Sequence, residues 1–119
     1  MTEPNLSQIY APDAGDLIWL DLDPTLGREQ AGRRPAVVVS PRLFWEVSRL
    51  VVVCPITSKI RPFPTSVVLP EGLKLQGEVL TSHIRSIDSL ARPISFAGAR
   101  VPEDVLRDIR AKLGAVLGF

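Results

Sequence analysis

The amino-acid sequence predicts a small, mostly β barrel with short helices and one C-terminal α-helix. Three observations carry that expectation. The chain holds 11 prolines and 8 glycines in 119 residues, a punctuation that allows short strands and turns rather than long helices. Between them lie short alternating or β-branched runs. One apolar stripe at helical spacing occurs near the end. Hydrophobic residues make up 45% and charged residues 23%, the balance of a globular chain rather than a disordered one. The length suits one domain with a single modest core. No internal repeat, low-complexity block or linker interrupts it.

Residues 1–14 are polar, carry Pro4 and Pro12, and read as a flexible arm before a single domain at 15–119. The first strand, 17–22, places Leu17, Trp19 and Asp21 on one face and Ile18, Leu20 and Leu22 on the other. The second set is expected to face the core. Trp19 either packs or presents an aromatic at the surface. Asp23-Pro24-Thr25 is turn chemistry, and the loop onward to Arg34 spans roughly ten residues, longer than a hairpin needs. A strand follows at 36–40. Leu43, Phe44 and Val47 suit a short helix over 41–47. The segment 49–55 is apolar on both faces and reads as the central strand. A second loop covers 56–64, and further strands are expected at 66–69, 77–82 and 84–87, with a short last strand near Phe96. Pro102 opens a helix, with Glu103 and Asp104 where the helix dipole favours acids. Leu106, Ile109, Leu113, Val116 and Leu117 form its apolar stripe, and Gly118 can end it. Val101 stands where Ser or Asp would cap better.

Net charge is +1, but it is unevenly spread. The first 27 residues hold five acids (Glu3, Asp13, Asp16, Asp21, Asp23) and no Lys or Arg, leaving 14 basic against 8 acidic residues (13 less 5) in the remainder. Such a basic body suits a polyanion, unless Asp21 and Asp23 pair with nearby arginines and cancel the field. Cys54 is the single cysteine, which precludes an intrachain disulfide and a cysteine zinc cluster and suits a buried thiol. No leader-like segment and no apolar run of about 20 residues is present, so a cytoplasmic protein without a membrane span is expected.

Charge concentrates in Gly27-Arg28-Glu29-Gln30-Ala31-Gly32-Arg33-Arg34-Pro35. Three guanidinium groups cannot enter a core unpaired, so this stretch is either a solvated tip or a ligand site. His83 is the only histidine. That excludes paired-histidine acid–base catalysis and a histidine-rich metal site, and His83 itself is expected on a strand. Phosphate-binding and dinucleotide-binding glycine loops are absent. What remains is arginine, hydroxyl and carboxylate chemistry. RNA can be cut without a metal, because its 2′-OH serves as nucleophile if the protein holds the phosphate in line and stabilises its added charge. Arg34 is suited to clamp a phosphate, and Thr57 to donate a hydrogen bond to it. Antiparallel pairing of the strands beside them would bring both to one end of the sheet.

The stretches Gly15-Asp16-Leu17-Ile18-Trp19, Asp21 to Gly27 and Glu29 to Val38 resemble the opening of the MazF/PemK family of toxin endoribonucleases. Val53-Cys54-Pro55-Ile56-Thr57-Ser58 is similar to that family's second motif, and weaker agreement runs on to Gly118. The resemblance implies an SH3-like barrel, a homodimer, and sequence-specific, metal-free and cofactor-free cleavage of single-stranded RNA, leaving 2′,3′-cyclic phosphate and 5′-OH ends. It also implies a MazE-like antitoxin partner whose acidic segment covers the RNA groove. Arg34 and Thr57 fall on the family's catalytic positions. Glu29 falls on the first residue of its Glu-Gln pair, as a base or an organiser of Arg34. Arg28, Gln30, Arg33, Ser58, Lys59, Arg61 and Arg85 are candidate RNA contacts; Trp19 and Phe63 could stack on bases, but core packing is the expectation for both. Related CcdB-type barrels trap DNA gyrase, so a non-enzymatic poison is the competing expectation, and a member that only binds nucleic acid or antitoxin is a third.

Overall fold

The computed structural model describes residues 9–21 and 32–119. Seven strands and two helices follow in order: β1 (Asp16–Asp21), β2 (Arg33–Val38), α1 (Arg42–Ser48), β3 (Leu50–Thr57), β4 (Ser66–Val68), β5 (Glu78–Leu80), β6 (Arg85–Asp88), β7 (Ile94–Arg100) and α2 (Glu103–Leu117). A 3-10 turn, Thr81–His83, joins β5 to β6. All strand pairs are antiparallel. The strand order is β4-β5-β3-β2-β1-β7, with β6 also on β3. Besides β2, β3 serves two partners: residues 50–53 pair with β6, and Ile56 and Thr57 with β5. This split helps curl the sheet into the small barrel-like form expected, although the ladder from β4 to β7 does not close.

Two cores lie on opposite faces of the central strands. Leu17, Val37, Cys54 and Val79 pack under Leu106, Ile109 and Leu113 of α2. Ile18, Leu20, Ala36, Val38, Val51, Val53 and Ile87 form the other. The Ile18 and Leu20 face of β1 lies in a core as expected, and the opposite face is buried as well. α2 covers the opposite face, so Leu17 is as inaccessible as Ile18. Trp19, next on that face, is half-buried, with the Arg33 guanidinium 5.1 Å from its ring centre.

The α2 stripe buries Leu106, Ile109 and Leu113, while Leu117 is 51% exposed. Pro102 rather than Val101 occupies the N-cap, without a side-chain cap, and Val101 is buried in the core instead. Gly118, at φ +82°, closes the helix. In α1 the expected apolar residues Leu43, Phe44 and Val47 stay exposed, and Trp45 is the buried one. Its indole Nε1 donates to Ser89 Oγ at 3.0 Å, while the Arg49 guanidinium stacks 4.1 Å from its ring centre.

Residues 10–14, expected in the flexible arm, are tied to the body. Pro12 and Ala14 are buried. Tyr10 Oη donates to buried Asp16 at 2.5 Å, and Arg100 Nη1 pairs with the same carboxylate at 2.8 Å. Among the described residues no helix is long and apolar enough to cross a membrane.

Candidate active site

Both β2 and β3 extend beyond their expected limits, because each finds an antiparallel neighbour. β2 starts at Arg33, where Asp21 and Leu20 of β1 stand opposite Arg33 and Arg34. β3 continues to Thr57, which stands opposite Glu78 of β5. Arg34 and Thr57 are therefore strand residues rather than loop residues. Between β2 and β3 the register runs Val38↔Val53, Val37↔Cys54 and Ala36↔Pro55. Counting two residues further along each strand sets Arg34 opposite Thr57. Pro35 and Pro55 have no amide hydrogen to continue the ladder, which ends at that level.

Where the ladder ends, a cleft of about 430 Å³ is lined by Arg34 and Thr57 together, with Ser58 and Lys59 beside them. Gln76, Leu80 and His83 line it from the segment around β5. Arg34, Ser58, Lys59 and His83 are exposed, and Thr57 is half-buried. Lys59 N–H donates to Thr57 Oγ1 at 3.2 Å. That bond uses a lone pair of the hydroxyl and leaves its hydrogen available to a ligand oxygen.

Gly77 sets the depth of Thr57. It has φ +136°, and a Cβ there would lie 2.3 Å from the Thr57 carbonyl oxygen. Only glycine allows this approach of β5 to the end of β3. Next to it, Glu78 is 1% exposed. Its Oε1 accepts from Arg61 N–H at 2.7 Å, and Ser66 Oγ hydrogen-bonds Oε2.

The remaining candidates separate. Arg61 is exposed, and only its backbone amide is tied, to Glu78. Arg85 lies outside this cleft. It borders a smaller one of about 160 Å³ with Asp88 and Arg92, because β6 pairs with the first half of β3, away from Thr57. Arg33 alternates with Arg34 along β2. Its Nη2 donates to Ser95 Oγ at 3.3 Å while its guanidinium covers Trp19. Phe63 is 65% exposed. Arg28, Glu29 and Gln30 lie outside the described residues.

Sequence reading did not place Gln76, Leu80 or His83 at the site, nor Glu78 beneath it. His83, expected on a strand, sits in the 3-10 turn. Nothing local in the sequence sets 76–83 beside Thr57; the β3–β5 pairing does. Burial pushes the Cys54 thiol up to about 12, which removes it as a nucleophile. Among the described residues, no three His, Cys, Asp or Glu side chains gather as metal ligands would.

A family model described as PemK-like, MazF-like toxin of type II toxin–antitoxin system matches residues 13–117. The chain is 41% identical over 109 residues to the endoribonuclease toxin MazF of Escherichia coli, covering 92% of this chain and 96% of that one. In three dimensions it is similar to MazF of Deinococcus radiodurans, with a TM-score of 0.81 at 45% identity, covering 93% of this chain and 100% of that one. It superposes equally well, with a TM-score of 0.81 at 42% identity and coverages of 93% and 99%, on a chain from a MazE–MazF structure of the same organism.

Proposed function

The chain belongs to the PemK-like, MazF-like toxin family of type II toxin–antitoxin systems, and we propose that it is an endoribonuclease that cuts single-stranded RNA without a metal ion. The observation that carries this reading is the convergence of Arg34 and Thr57 on one open cleft. In the proposed reaction the RNA 2′-oxygen attacks the adjacent phosphorus and the bond to the 5′-oxygen breaks. The 2′-OH loses its proton, and the leaving 5′-oxygen gains one. The products are a 2′,3′-cyclic phosphate and a 5′-OH. Arg34 binds the phosphate oxygens and offsets the charge that builds on them. A guanidinium keeps its proton in proteins and is a poor proton acceptor at neutral pH, so Glu29 is assigned as base or as organiser of Arg34. Thr57 donates its free hydroxyl hydrogen to the same phosphate.

Ser58 and Lys59 extend the contact surface along the cleft. Arg33, Arg61 and Arg85 are assigned to RNA outside it, and Arg28 and Gln30 are assigned as further RNA contacts. The activity belongs to the single domain 15–119 together with residues 10–14 that pack on it, and operates in the cytoplasm. The working form is a homodimer held in check by a MazE-like antitoxin. The exposed Leu43, Phe44 and Val47 of α1 offer apolar area to such partners.

Incubating the purified protein with mixed-sequence RNA in a chelator tests the reading. Discrete fragments with cyclic-phosphate ends are expected, and Arg34→Ala and Thr57→Ala should each slow their appearance by about 10²-fold or more. Intact RNA, with inhibition of DNA gyrase instead, would establish the gyrase-poison alternative.

A further inference from the structure

Glu78 has no role in the chemistry above, yet it is the most deeply buried carboxylate among the described residues, at 1% exposure. Removing a carboxylate from water costs several kcal/mol, and an apolar side chain would fill an interior position at least as well. None of the ion pairs among the described residues includes Glu78. Its compensation comes from one segment, the loop that leaves β3 at Thr57 and returns as β4. Arg61 N–H donates to Oε1, and Ser66 Oγ bonds Oε2 while accepting from Phe63 N–H at 3.1 Å. With Lys59 N–H on Thr57 Oγ1, three alternate amides of this loop, at 59, 61 and 63, are each held by a side chain. Two of those holds run through the Glu78–Ser66 pair. The loop carries Ser58 and Lys59 on the cleft wall, and Glu78 stands directly opposite Thr57 across β3 and β5.

We propose that Glu78 is a positioning residue for the RNA cleft, holding the 58–63 loop from beneath so that Ser58 and Lys59 stand beside Arg34 and Thr57. This rests on the nuclease reading. Glu78 touches no substrate; it acts through the backbone of the loop. A carboxylate suits the task because it accepts two hydrogen bonds in a fixed plane. Glutamine keeps an acceptor for Arg61 N–H and offers a donor to Ser66 Oγ, whereas valine removes both.

The full-length chain and its Glu78→Val, Glu78→Gln and Ser66→Ala variants are assayed on an RNA oligonucleotide that the wild type cuts. Glu78→Val should raise KM about tenfold while kcat moves less than about threefold, since substrate placement is lost before chemistry. Hydrogen exchange at the Arg61 amide should quicken in the same variant. Glu78→Gln should restore KM to within about twofold of wild type. If Glu78→Val does not fold, Ser66→Ala, which breaks the same link from its other end, should reproduce the KM rise. Wild-type KM in a folded Glu78→Val or Ser66→Ala protein overturns the positioning role, as does equal impairment by glutamine and valine. A wild type that cuts no RNA removes the nuclease reading itself, a result separate from either of these.

Discussion

Thr57 receives one hydrogen bond, from Lys59 N–H, and keeps its own hydrogen to give. In the proposed reaction the group that acts is therefore the hydroxyl, not the β-branched shape. Thr57→Ser should keep cleavage within about fivefold of wild type, whereas the isosteric Thr57→Val should lose about 10²-fold in kcat. Arg34→Lys preserves the charge but not the planar fork, and a similar loss of about 10²-fold in kcat/KM is expected. Single-turnover cleavage of one defined oligonucleotide measures all three.

At the same scale, two buried groups tie stability to alkaline pH. Burial and the hydrogen bond to Asp16 push the Tyr10 phenol well above its ordinary range. Burial also raises the Cys54 thiol to about 12. Both hold their protons more tightly folded than unfolded. Their contribution is complete below the ordinary pKa values, about 8.5 for the thiol and 10 for the phenol, and declines as pH rises through the folded values. Urea unfolding from pH 8 to 11 should show stability falling across that window. Tyr10→Phe should remove the part that begins near pH 10 and leave the thiol's part in place.

At the scale of elements, β3 does the work of two strands. It joins β6 along residues 50–53, β2 along 53–55 and β5 at 56–57, so it carries Thr57 out of the core to the cleft rim. β5 can approach it there because position 77 has no side chain. Gly77→Ala should destabilise the fold by more than about 2 kcal/mol, and cleavage should fall with it as Thr57 is displaced. Gly72 also has a positive φ, of +92°, but open space around it. Gly72→Ala should cost only the backbone strain, about 1 kcal/mol, and leave cleavage intact. Denaturant melts alongside cleavage rates separate the two.

For the whole molecule the relevant quantity is charge placed on a shallow surface. A net charge of +1 does not suggest a nucleic-acid protein. The sheet nevertheless gathers Arg34 and Lys59 at one cleft and keeps Cys54 and the apolar faces of β1–β3 away from it. RNA affinity should fall with added salt. Each lost cationic contact should flatten the slope of log K against log salt by about 0.7 for a single strand. Lys59→Gln is expected to do so by about that amount, as read by filter binding of an uncleavable 2′-deoxy substrate.

The sequence by itself determined the β-rich class, the C-terminal helix and the choice of Arg34 and Thr57 as candidate site residues. These are legible because alternation, helical spacing and an ordered run of charged residues between glycines are local signals. It also brought the two residues to one end of the sheet, since antiparallel neighbours share their ends. Only the tertiary structure decided that both faces of β1 are buried, that residues 10–14 join the body, and that Arg33 and Arg85 lie apart from Arg34. It alone brought Gln76, Leu80, Gly77, Glu78 and His83 to Thr57. The physical reason is range: a strand's two faces can be read from its own residues, but its neighbours, and the helix that covers it, are chosen by packing between segments distant along the chain.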